Sequence, residues 1–165
     1  MAAVLVALGI GTASILQTQN LQKRERRERL LNEIIEWAED IQNASVTPNF
    51  SGSNEIYEVN ILMRYGASLS GGTAIEAIVN ESFHKELLVD FYKVINTLAE
   101  FMCVKLFMTR HTWPSEWGFS KDVIDKMKNE INKKPIEDLF IECATKLTGS
   151  VKNLLKEAIK IKAGV

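Results

Sequence analysis

Apolar residues are distributed along this chain in two different ways. From Ala2 to Leu16 they run unbroken with small residues, and residues 1–22 carry no charged side chain. Beyond Leu21 they recur at steps of three and four, the spacing that gathers side chains on one face of an α-helix. Leu30, Leu31, Ile34, Ile35, Trp37, Ala38 and Ile41 make the first such face, with Glu33, Glu36, Glu39 and Asp40 between them. No Gly or Pro separates this face from the apolar head, which predicts one continuous helix ending near Asn43. Pro48 and Gly52 mark a loop to Asn54, and a second helix is expected from Asn54 to Leu69, with Ile56, Val59, Leu62, Met63 and Gly66 inward.

After Gly71-Gly72, Thr73 is placed to cap the longest helix, expected to reach Arg110. Leu88, Phe91, Ile95, Leu98 and Met102 form a heptad-like seam there, widened by Leu87, Val94, Phe101 and Met108. Trp113-Pro114 breaks it, and Ser120 can cap a short helix carrying Val123, Ile124, Met127 and Ile131. A last helix starts at Pro135, where a missing N–H costs nothing, and keeps Ile136, Phe140, Cys143, Leu147, Val151, Leu154, Ala158 and Ile161 in phase. Gly149 lies inside that run. It costs roughly 1 kcal/mol against Ala, less than one buried neighbour contributes at about 1.5–3 kcal/mol, so one helix is expected, with a bend at Gly149 left open. No stretch alternates as a strand would. The fold class is therefore all-α: an antiparallel bundle of four main helices plus a short capping helix, with residues 1–22 as a hydrophobic anchor helix and 23–165 as the bundle domain.

Charge changes the picture because it is segregated. Residues 23–29 (Lys23, Arg24, Glu25, Arg26, Arg27, Glu28, Arg29) carry a net +3, residues 30–149 a net −7, and residues 150–165, with Lys152, Lys156, Lys160 and Lys162 against Glu157, again +3. The total of −1 gives no general nucleic-acid surface, and the basic cluster has no interleaved aromatics, so nucleic acid is not an expected partner. A membrane explains the segregation better. Counted through Leu21 the head gives roughly 30 Å of helix, enough for a bilayer core if its polar end lies at the interface, whereas Ala2–Leu16 alone gives about 22 Å. The basic collar on the C-terminal side then places the remainder in the cytoplasm, N-terminus out. Two other readings of the head stay open: a buried or partner-covered helix, and a cleaved signal with Gly11-Thr12-Ala13 as its small-residue site. Within the head, Ala3, Ala7 and Gly11, and separately Gly9 and Ala13, repeat at four-residue spacing, which suits close helix–helix approach in lipid and self-association. Lys23, Arg24, Arg26, Arg27 and Arg29, and the four tail lysines, are candidates for anionic headgroups or another anionic partner.

Candidate chemistry is sparse. Glu81 and His84 have the Glu-x-x-His spacing of di-iron bundles, but that site needs a second such motif, and the only other histidine is His111. No metal ligand set, catalytic residue or cofactor site is expected, and no phosphate loop or nucleophile elbow is present. Cys103 and Cys143 fall on apolar faces as small core residues. Trp113, Trp117 and Phe119 crowd one turn, where they either anchor a partner or plug the end of the bundle. The head, the Gln17–Arg29 stretch and the Leu30–Trp37 run together resemble a loose group of uncharacterised prokaryotic single-pass membrane proteins with a charged juxtamembrane helix. That resemblance covers about the first forty residues and implies an anchored helical domain, with no activity to transfer. The expected function is a membrane-anchored cytoplasmic scaffold or protein-interaction module, self-associating or bound to a helical partner. The alternatives are a small effector or enzyme with an unrecognised site, and a soluble helical interaction protein whose apolar helix packs on the bundle or on a partner.

Overall fold

The structure is a computed structural model, and it describes residues 2–46, 85–111, 113 and 119–164, the side chains of 2–16 and 44–46 excepted. The helix expected at 54–69, the Thr73 cap, the Glu81/His84 pair and Trp117 lie outside the described residues. What is described is entirely helical: α1 (Ala2–Val46), α2 (Lys85–Arg110), α3 (Lys121–Ile131) and α4 (Ile136–Ala163). No strand occurs among the described residues.

The helices pack because their apolar stripes meet. α4 is the central element, lying against both α2 and α1, while α3 folds back over α2 and the start of α4. α2 and α4 run antiparallel. Phe101 meets Phe140 with ring centroids 5.2 Å apart, and Asp90, earlier in α2, faces Glu157, later in α4. The backbones of α1 and α2 stay apart, and Trp37 bridges the gap to Phe91 with centroids 4.9 Å apart and planes at 41°. One cluster joins all four helices, from Leu31, Ile34, Trp37 and Ile41 through Leu87, Phe91, Leu98 and Leu106 to Met127, Leu139, Leu147 and Leu154. Each such large side chain contributes about 1.5–3 kcal/mol when fully buried.

The predicted faces largely recur, with instructive shifts. On α1 the expected residues are buried except Ile35, which is half-buried. On α2 the seam is turned from the expected one: Leu87, Phe91, Val94, Leu98 and Phe101 face inward, and Leu88 and Ile95 sit at its half-buried edge. The reason is α4, which covers one flank of the broad apolar face and so selects which of two overlapping stripes is central. Farther along, Glu100 to Leu106 are all buried, so this part of α2 is covered on every side. α4 begins its inward face at Leu139, one residue before the expected Phe140, and runs through Gly149 without a break in the helix. Ser150 is buried in this stripe, and its hydroxyl donates to the Lys146 carbonyl at 2.9 Å, so the interior holds no unsatisfied group there.

Helix ends follow the expected chemistry. Ser120 is the N-cap of α3, and its Oγ accepts from the Val123 N–H at 3.4 Å. Pro135 stands one position earlier than a first-turn proline, as the N-cap of α4, where its carbonyl accepts from the Leu139 N–H at 3.1 Å. α2 ends at His111, whose φ of 53° is left-handed and whose N–H donates to the Phe107 carbonyl at 2.8 Å.

Candidate functional site

The segment between the apolar head and the bundle is the most unusual surface in the molecule. α1 is one helix of 45 residues, and among those whose side chains are described its buried face begins at Leu30. Residues 17–26 and Arg29 are exposed, and Arg27 and Glu28 are half-buried. Residues 17–29 therefore form a rod about 20 Å long at 1.5 Å per residue. Its side chains are polar all round, with Leu21 the one large apolar exception, 60% exposed. Such a helix has no apolar face to bury and persists as a connection between two bodies, helped by pairs at four-residue spacing. Arg24 Nε donates to Glu28 Oε1 at 3.2 Å in one such pair.

The predicted basic collar, Lys23, Arg24, Arg26, Arg27 and Arg29, lies on this rod, and the four tail lysines lie on α4. Lys23, Arg26 and Arg29 are exposed and make no ion pair among the described residues. Gln19, Gln22, Lys23 and Arg26, at spacings of three and four, line a recess of about 150 Å³ along one side of the helix. Two amides and two cations converge there, a set made only of hydrogen-bond donors and amide carbonyls, suited to an anion. The stripe Ala3, Ala7, Gly9, Gly11 and Ala13 belongs to the same helix, and its side chains lie outside the described ones. Among the described residues no helix is long and apolar enough to cross a membrane. Of the tail lysines, Lys160 reaches Glu157 at 3.4 Å, and Lys152, Lys156 and Lys162 are exposed without an ion pair among the described residues. Among the described residues no ion pair or hydrogen bond joins the tail lysines to the rod.

Two of the three clustered aromatics, Trp113 and Phe119, are described. Trp113 is half-buried and stacks on Phe107, with ring centroids 4.4 Å apart and planes 27° apart. Lys128 of α3 lies 5.7 Å from the centroid of the Trp113 ring. Phe119 also packs against the core. Trp113 and Phe119 thus pack on the core between the end of α2 and α3.

Buried polar groups mark the same region, and the periodicity gave no hint of them. Glu100, with its side chain 12% exposed, is paired with Lys126 of α3. Lys105 is buried, with Nζ 5.9 Å from the centroid of the Phe101 ring. A buried charge left without its partner is strongly destabilising, so the Glu100–Lys126 pair favours one seating of α3 on α2 rather than adding much net stability. Cys103 and Cys143 are fully buried free thiols. Burial pushes them up to about 12 and about 11, so thiolate chemistry at neutral pH is suppressed. Among the described residues no group of three or more His, Cys, Asp and Glu side chains is placed to hold a metal ion. His111 is exposed at the end of α2.

Set against protein-family models, curated proteins and solved structures, the chain matches none.

Proposed function

We propose that this chain is a membrane-tethered helical scaffold. The head occupies lipid with its N-terminus out, the rod crosses the headgroup zone, and the bundle stands on the cytoplasmic side as an interaction module. The observation that carries this reading is the continuity of α1: the same helix bears an uncharged apolar run at one end, a bare polar rod in the middle and a buried stripe at the other. An all-polar rod has a physical reason to exist when each of its ends is held by something else. One end is held by α4. The apolar run, without a charge in residues 1–22, suits lipid at the other, and the Lys23–Arg29 cluster beside it gives the cytoplasmic orientation. The finer plan that goes with this reading has a return helix over 54–69, completing four main helices.

Self-association belongs to the same proposal. Ala3, Ala7 and Gly11 on one helix allow a second copy to approach closely enough for backbone contact, which is the main source of helix affinity in hydrocarbon. The Gly11→Leu variant then loses energy transfer between donor- and acceptor-labelled copies in vesicles, while the Thr12→Leu variant, about 140° round the helix from the centre of that stripe, keeps it.

Membrane fractionation tests the anchor. The full chain is expected in the carbonate-washed pellet, and Leu8→Lys together with Ile10→Lys, which places charge inside the run, releases it. Recovery of the unaltered chain as a monodisperse monomer without detergent overturns the reading.

A further inference from the structure

We infer that the recess on the rod, lined by Gln19, Gln22, Lys23 and Arg26, is a seat for the phosphate of anionic phospholipid headgroups, and that it sets the bundle at a fixed stand-off from the membrane. This rests on the reading that the head lies in lipid. Three observations on one helix carry it. The first is axial position. Gln19 lies three residues past Leu16, in the polar end of the head that sits at the interface, and Arg26 five past Leu21, so the recess runs from roughly 5 Å to 15 Å beyond the apolar run at 1.5 Å per residue, and the headgroup zone, about 5–7 Å deep per leaflet, falls within its inner part. The second is the donor set. Lys23 and Arg26 supply charge, Gln19 and Gln22 supply neutral N–H donors, and no carboxylate lines the recess. Nothing in the bundle covers these side chains, all four of which are exposed.

The third is the sign of charge farther along the same helix. Glu36, Glu39 and Asp40 are exposed and, with half-buried Glu33, make no ion pair among the described residues. An anionic surface repels them. Glu36 is about 20 Å along the axis from Lys23, more than twice the Debye length of about 8 Å at physiological salt, so that repulsion is screened while the recess is in contact. A charge-graded helix thus fits an anionic plane in one orientation: cations down, acids away. A neutral bilayer makes no use of the gradient, and a soluble polyanion has no reason to meet the recess at one depth.

The test uses the full chain and flotation with two kinds of vesicle, phosphatidylcholine alone and phosphatidylcholine mixed with phosphatidylserine. The expected result is binding to both, with partitioning onto the mixed vesicles roughly a hundredfold stronger than in the variant Lys23→Gln, Arg26→Gln, Arg29→Gln, since each cation near the surface counts for about a factor of five. Added salt narrows the difference. A variant with the same charge change in the tail, Lys152→Gln, Lys156→Gln, Lys162→Gln, retains most of the preference. Equal binding of the unaltered chain to the two vesicles overturns the inference while leaving the anchor standing. Binding to the mixed vesicles alone overturns the anchor and with it the fixed stand-off, and binding to neither overturns both. Loss of preference in the tail variant but not in the rod variant moves the contact elsewhere and overturns the assignment. Saturation of the recess by inorganic phosphate, with no preference between vesicles, does the same.

Discussion

Gly149 lies on the outer surface of α4, and a β-carbon built there meets nothing within 4 Å. Gly149→Ala is therefore expected to raise stability by about 0.5–1 kcal/mol through reduced backbone entropy in the unfolded chain, read as a higher urea midpoint at unchanged slope. His111 is the opposite case. It ends α2 in a left-handed conformation that costs an L-residue roughly 1–2 kcal/mol, so His111→Gly stabilises by about 1 kcal/mol in the same assay. The two thiols give a third test. With Cys103 held at about 12 and Cys143 at about 11, both resist a thiol reagent in the native protein at mildly alkaline pH and react at ordinary rates in denaturant. At this scale the sequence is a good guide to apolar burial, because hydrophobic periodicity is a local property. It misses the burial of Lys105, and that of Glu100, whose partner Lys126 lies 26 residues away on α3. It also leaves Trp113 ambiguous, since only the position of Phe107 and Lys128 around its ring shows where it packs.

Between neighbouring elements, two carboxylates give the structure a pH signature of opposite signs. Glu142, in the second turn of α4, accepts hydrogen bonds from Lys134, in the turn joining α3 to α4, and from Lys146, which hold it down at about 2. Its stabilising effect is full above the ordinary carboxylate value of 4.5 and is lost as pH falls from there toward 2. Asp90, between α2 and α4, is raised instead: burial is the main cause, Lys93 opposes it, and Glu157 and Glu86 add repulsion. A raised value favours the fold below the unfolded pKa of 3.8, and that contribution is lost as pH rises through the native pKa. Asp90→Asn is accordingly expected to stabilise near neutral pH and to make no difference below pH 3.8, whereas Glu142→Gln flattens the acid limb of the stability curve. Thermal melts across pH check both. The lengths and ends of α3 and α4 were legible from Ser120, Pro135 and the three-and-four spacing, as were the buried positions of α1. The seam of α2 was legible only as a broad apolar band. Leu87/Val94 and Leu88/Ile95 are equally good stripes on a lone helix, and the choice between them is made by where α4 lies.

Across the whole molecule, α4 is the shared neighbour and Trp37 closes the remaining gap. Trp37→Ala is expected to cost about 3–5 kcal/mol, because the backbones of α1 and α2 are too far apart to collapse into the space left behind. Neutral substitutions on the rod, such as Lys23→Gln or Arg26→Gln, shift the chemical-denaturation midpoint by no more than about 0.5 kcal/mol equivalent, since these side chains touch no part of the core. An undivided α1 also behaves as a drive shaft. Each residue inserted between Gln17 and Arg29 lengthens it by only about 1.5 Å but turns everything beyond by about 100°, and seven restore the heading to within roughly 20°. The direction in which the bundle faces is thus encoded by a residue count, and a partner on the same surface that reads that heading will gain and lose contact with the period of the helix, not with the reach of the rod.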